Sequence, residues 1–132
     1  MNAPKVSAPT IEIDSEAAVA CPASGLTTVA TIANLAHKRL CFHFAVATQA
    51  LDDFDVLVKG HPDATAIDIT PANWASLGSG TRFNYSSGNL AAQAAGSSGY
   101  FDMDITGLVE ITIKASGAVD NASVTPRWSL HA

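Results

Sequence analysis

Hydrophobic and polar residues alternate with a period of two along most of this chain, the pattern of extended strands whose side chains point to opposite faces. Across Arg39–Ala47, Leu40, Phe42, Phe44 and Val46 share one face, and Cys41, His43 and Ala45 the other, which predicts a central strand. Leu51–Lys59 turns Phe54, Val56 and Val58 inward and Asp53, Asp55 and Lys59 to water, and residues 48–50 between these strands read as a hairpin connection. Residues 10–14, with Ile11 and Ile13 between Thr10, Glu12 and Asp14, predict a half-buried strand. Residues 26–32, rich in Thr and Val, predict another that leads into a turn at Ala33 and Asn34, and residues 66–70 alternate Ile67 and Ile69 with Asp68 and Thr70. Residues 17–23 are ambiguous: Ala-rich enough for a helical turn, yet limited by Pro22 and Gly25.

The C-terminal third is regular again. Phe101, Met103 and Ile105 alternate with Asp102 and Asp104, a turn follows at Thr106 and Gly107, and Val109, Ile111 and Ile113 alternate with Glu110, Thr112 and Lys114. Val124, Pro126, Trp128 and Leu130 define a last strand, where Pro126, lacking an N–H, implies an edge or a bulge. Residues 76–99 hold five of the nine glycines and predict at most a short strand near residues 82–85. These segments make roughly eight or nine short strands with no amphipathic helix and no internal repeat. The expected fold is all-β: a two-sheet antiparallel β-sandwich, jelly-roll-like. At 132 residues the chain fits one domain, residues 11–132, preceded by an extended arm over residues 1–10, where Pro4 and Pro9 oppose a helix.

Charged residues make up 14% of the chain against roughly 25% in ordinary domains, which leaves an unusually neutral surface, read equally as the Ser/Thr-rich faces of a secreted-style β protein or as a subunit buried on several sides. Net charge is −5 and the seven basic residues are scattered, so no stripe is available for a run of phosphates and nucleic acid is not an expected partner. Glu12, Asp14 and Glu16 interrupt the start of the chain where a secretion signal needs an unbroken apolar segment, so none is expected. No apolar run approaches the roughly 18 residues of a membrane-spanning helix, and no membrane partner is expected. Cys21 and Cys41 fit no zinc spacing and read as buried small hydrophobes, with a disulfide between them as the other reading; neither a metal nor another cofactor is expected.

Catalytic patterns are not visible. No nucleophile elbow surrounds a serine, and His37, His43, His61 and His131 show no helical metal spacing. Asp53 with Asp55, and Asp102 with Asp104, are spaced as paired acids for glycoside hydrolysis or calcium would be, but strand alternation explains them and no glycine-containing calcium loop accompanies them. Trp74, Tyr85 and Tyr100 are candidates to stack on sugars, with core or interface anchoring as the other reading for Trp74.

Residues 99–115, Gly-Tyr-Phe-Asp-Met-Asp-Ile-Thr-Gly-Leu-Val-Glu-Ile-Thr-Ile-Lys-Ala, together with 122–130, Ala-Ser-Val-Thr-Pro-Arg-Trp-Ser-Leu, resemble the C-terminal half of small β-sandwich structural proteins of tailed bacteriophages. The resemblance implies a virion protein, made in the host cytoplasm, of the capsid decoration or cement type. Its implied partners are the major capsid protein and neighbouring copies of itself, as a homo-oligomer on the particle. The alternative it implies is a tail or baseplate module that binds carbohydrate. Neither role needs a catalytic residue or a cofactor. Since the shared pattern is strands and a turn, no individual residue carries over. On the chain's own residues, contacts are expected from the arm, with Asn2, Lys5 and Pro9, and from the loop spanning 74–100, with Trp74, Arg82, Tyr85 and Tyr100.

Overall fold

A computed structural model describes residues 11–77 and 80–132. The period-two segments become ten strands among the described residues: β1 (Ile11–Ser15), β2 (Val19–Cys21), β3 (Thr27–Ala33), β4 (Arg39–Ala47), β5 (Leu51–Lys59), β6 (Ile67–Asp68), β7 (Phe83–Ser86), β8 (Ser98–Asp104), β9 (Glu110–Gly117) and β10 (Ala122–His131). A single 3-10 turn at Leu90–Ala92 interrupts the glycine-rich region. The strands form two antiparallel sheets, one ordered β1-β10-β4-β8-β7 with β2 also on β10, the other ordered β3-β9-β5-β6.

That order is a jelly roll. Taking β1 and β2 as one interrupted strand, the first strand pairs with the last, β3 with β9, β4 with β8 and β5 with β6, so a long two-stranded ribbon is rolled into a sandwich. β7 is an addition beside β8. The interruption has a local cause. Ser15 faces Arg127 and Val19 faces Val124, so the chain between them carries one residue more than β10 does, which is a bulge. Opposite it, the Pro126 carbonyl accepts the Glu16 N–H at 3.2 Å. A strand residue directs its N–H and C=O to the same side, so the donor that Pro126 lacks falls on the bulge, and pairing with β4 loses nothing.

Leu40, Phe42, Phe44 and Val46 from one sheet meet Phe54, Val56, Ile111 and Ile113 from the other in the core. Rings dominate: Phe44 and Phe54 stack at 4.6 Å between centroids, Phe42 and Phe101 at 5.4 Å, and Phe42 and Trp128 at 6.1 Å. Residues 48–50 are therefore not the hairpin that the sequence suggests, because β4 and β5 lie in different sheets. Both strands carry large apolar side chains on one face, and facing them across the core buries more than pairing them edge to edge. Thr48, at φ 72°, turns the chain between the layers. The expected turn at Thr106 and Gly107 forms, with Gly107 at φ 81°, and it too joins strands of opposite sheets.

One open reading is settled and two further expectations are corrected. Residues 17–23 contain a strand and no helical turn, since pairing of β2 with β10 satisfies the backbone there. The strand expected over 66–70 shrinks to β6. Asp68 Oδ1 accepts the Thr70 N–H at 2.9 Å and bends the chain, leaving Ile67 63% exposed while Ile69 packs on the core. The strand near the N-terminus exists, but it is not half-buried: all five residues of β1 are exposed, and Ile11 and Ile13 face away from the core. The first sheet is wider than the second and β1 overhangs it, so its inner side has no apolar layer to meet. Glu12 and Asp14 occupy that side, with Glu12 Oε2 3.8 Å from the buried His37 Nε2.

Candidate functional site

The inverted β1 gives the outer face of the six-stranded sheet an unusual composition. Its rows follow from strand register. One row runs Ile13, Ser129, Cys41, Asp102, Tyr85; a second runs Ser15, Arg127, His43, Tyr100; a third runs Ile11, His131, Arg39, Asp104. Lys and Glu do not occur in these rows. Their long, entropy-rich side chains disfavour association, whereas Tyr and Arg favour it.

Three rings form a cross-strand ladder on this face. His43 stacks on Tyr100 with centroids 4.6 Å apart and planes 7° apart, and Tyr100 stacks on Tyr85 at 4.9 Å and 29°. The spacing equals that of neighbouring strands, so the rings stand upright like plates and lean on one another. Arg39 Nε donates to Asp102 Oδ1 at 2.8 Å, and Arg39 Nη2 donates to Cys41 Sγ at 3.3 Å. Asp104 is held below the ordinary carboxylate range by hydrogen bonds from Thr106, and is ionised at neutral pH. Arg127 has no ion-pair partner among the described residues. Between β1, β10, β4 and β8 lies an open hollow of about 480 Å³, lined by Ile13, His43, Ala45, Ser98, Thr125 and Arg127.

Tyr85 and Tyr100 are thus brought together on one face, with His43 added. Trp74 is not with them. It is 3% exposed, in the core, edge-on to Phe54 and Phe83 and tilted against Phe101. As a contact or sugar-stacking residue Trp74 is corrected: the loop folds inward at that point because three aromatic neighbours bury the indole. Arg82 acts within the chain, donating to the carbonyls of Asp104 and Thr106 at 3.3 and 3.0 Å and so fixing the turn after β8. Asn2, Lys5 and Pro9 lie outside the described residues. Ile13 and Arg127 escaped sequence reasoning. For Ile13 the alternation was visible, but not which side of the strand meets the core.

The opposite sheet presents different chemistry. Its outer face carries Asp53, Asp55, Asp68 and Glu110 against Lys59 and Lys114, an excess of acid. Desolvation, and then the neighbouring Asp53 carboxyl, push the Asp55 carboxyl up to about 6. The two acids border a hollow of about 500 Å³ together with Thr70, Asn73 and Asn89. The open edge of β5 there is blunted: the Phe54 N–H donates to Asp53 Oδ1 and the Val56 N–H to Thr70 Oγ1, each at 2.8 Å.

Cys21 is buried and Cys41 partly exposed, and both are free thiols. Among the described residues no group of three or more His, Cys, Asp or Glu is placed to hold a metal ion, and no helix is long and apolar enough to cross a membrane. No protein-family model, curated protein or solved structure matches the chain.

Proposed function

We propose that this chain is a non-catalytic assembly protein of a bacteriophage virion, of the capsid decoration type, that binds through the outer face of its six-stranded sheet. The observation that carries the reading is the inverted β1, which leaves Ile11 and Ile13 52% and 80% exposed beside an aromatic ladder, on a face without lysine or glutamate. Exposed isoleucines and tyrosines on one face, with arginines and a single Arg–Asp pair between them, match the make-up of a protein interface. The low charge of the chain and the resemblance of residues 99–115 and 122–130 to phage structural proteins support the same role. The jelly roll by itself does not choose, since the architecture hosts capsid proteins, lectins and enzymes alike.

A carbohydrate platform is the weaker reading for this face. Sugars stack on free ring faces, whereas in the ladder of His43, Tyr100 and Tyr85 those faces are mostly turned toward one another. The test is electron microscopy of virus particles assembled with and without the protein. Decoration predicts regularly repeated density on the shell, in many copies, that disappears when the protein is left out. Density confined to a few copies at the tail, or none on the particle, overturns it.

A further inference from the structure

The outer face of the six-stranded sheet is divided electrically along β4. On one side, β10 presents Ser123, Thr125, Arg127, Ser129 and His131, which include bases and no acid. On the other side, β8 presents Ser98, Tyr100, Asp102 and Asp104, which include acids and no base. The two outermost strands differ as well, with Ile11 and Ile13 on β1 and exposed Tyr85 on β7. Each half of the face is therefore short of what the other half offers.

From this we infer that the face binds a second copy of the chain, across a two-fold axis that runs along β4. The inference rests on the assembly reading of this face and names its partner. A rotation about an axis in the plane of contact lays β10 of one copy over β8 of the other, and β1 over β7, while each row stays level with itself. Ile13 then meets the partner's Tyr85, Ser129 meets the partner's Asp102, Arg127 meets the partner's Tyr100, and His131 meets the partner's Asp104. Those pairings are an apolar contact, a hydroxyl to a carboxylate, a guanidinium donating to the phenol oxygen at the tip of the stacked ring, and an imidazole to a carboxylate. Strands of the two copies run in the same direction, the aligned mode of sheet packing. Cys41 lies on the axis, opposite its own copy.

Size and charge agree with a second copy. Five strands about 4.8 Å apart, crossed by the roughly 30 Å length of β4, give a footprint of about 700 Å². A stable interface buries about 800 Å² on each partner. On a protein of net charge −5, two copies repel through most of their surface, including the acidic face of the other sheet. The split face carries balanced charge, and Arg39, which the axis sets opposite its own copy, is neutralised within its own chain by Asp102 at 2.8 Å, so that repulsion is lessened there.

The test is sedimentation equilibrium of the full chain, combined with cross-linking by a short bis-maleimide. A concentration-dependent dimer is expected, captured by a cross-link that Cys41→Ser abolishes, with the buried Cys21 unreactive. Ile13→Glu and Arg127→Glu should each raise the dissociation constant about tenfold or more, with unchanged thermal unfolding of the monomer to show that both fold. A monomer at every concentration overturns the pairing. So does a dimer that survives both substitutions and is not trapped through Cys41. Co-sedimentation with viral shells, measured separately, reports on the decoration reading: binding to shells by a strictly monomeric chain defeats the pairing and leaves decoration standing.

Discussion

Replacing Phe54 and Ile13 by alanine, one at a time, tests the orientation of β1 against that of the core. Phe54 is fully buried, in contact with Phe42, Phe44, Trp74 and Phe101. Burying such a side chain is worth about 1.5–3 kcal/mol, and the cavity left by Phe54→Ala raises the loss to about 3–5 kcal/mol. Ile13 is 80% exposed, so only one fifth of its surface is covered and Ile13→Ala should cost about 0.3–0.6 kcal/mol. Against a total stability of about 5–15 kcal/mol, the first change is severe and the second close to silent. The assay is urea unfolding followed by tryptophan fluorescence, at a concentration where the chain is monomeric, because self-association would add stability that is not intrinsic to the fold. Equal slopes with shifted midpoints make the comparison clean. A loss above about 2 kcal/mol for Ile13→Ala would mean that β1 inserts its isoleucines into the core, and the reasoning about the outer face would fail.

Other substitutions probe separate features. Because Asp55 is raised to about 6 in the folded chain, the fold holds that proton more tightly than the unfolded chain does, and stability falls as pH rises from about 4 through about 6. Asp55→Asn should flatten that slope in pH-dependent urea melts and add about 1 kcal/mol above neutral pH, after allowing for solvent screening of a partly exposed group. A Cβ at position 117 would sit 2.5 Å from the Val119 carbonyl oxygen and 2.6 Å from that of Cys21, so Gly117→Ala should cost about 1–3 kcal/mol, measured as a lower melting temperature. Trp74→Ala should lose about 3–5 kcal/mol through its cavity, and any loss of binding should follow unfolding. Tyr85→Ala removes a half-exposed ring stacked on Tyr100, so it should cost about 1–2 kcal/mol of stability and weaken assembly under conditions where the chain remains folded.

β4, β5, β8, β9 and β10 were legible because each carries one strongly apolar face, and burial of that face fixes their orientation. Pairing partners were less so. Period-two alternation states which side is oily, but not whether the next strand lies beside it or across the core, and so residues 48–50 read as a hairpin and fold as a crossing between sheets. β1 shows the same limit in another form. Its alternation was plain, but the overhang of one sheet past the other is a tertiary fact, and it decides that Glu12 and Asp14 turn inward. Tyr85 and Tyr100 stood out as candidate contacts, and they meet diagonally because Tyr85 is level with Asp102, the next outward residue after Tyr100 on β8, while Tyr100 is level with His43. Trp74 misled because a neighbouring glycine-rich loop suggests exposure, while three surrounding rings offered the indole a buried seat.

The account turns on which face of the sandwich is covered in the assembled state, and oxidative side-chain footprinting of the free and assembled protein measures that directly. It predicts strong protection of Ile13, His43, Tyr85 and Tyr100 on assembly, with Leu57 and Ile67 of the opposite sheet labelled as before. Unchanged labelling of the ladder residues, with protection moved to the β5 and β6 face, would contradict it.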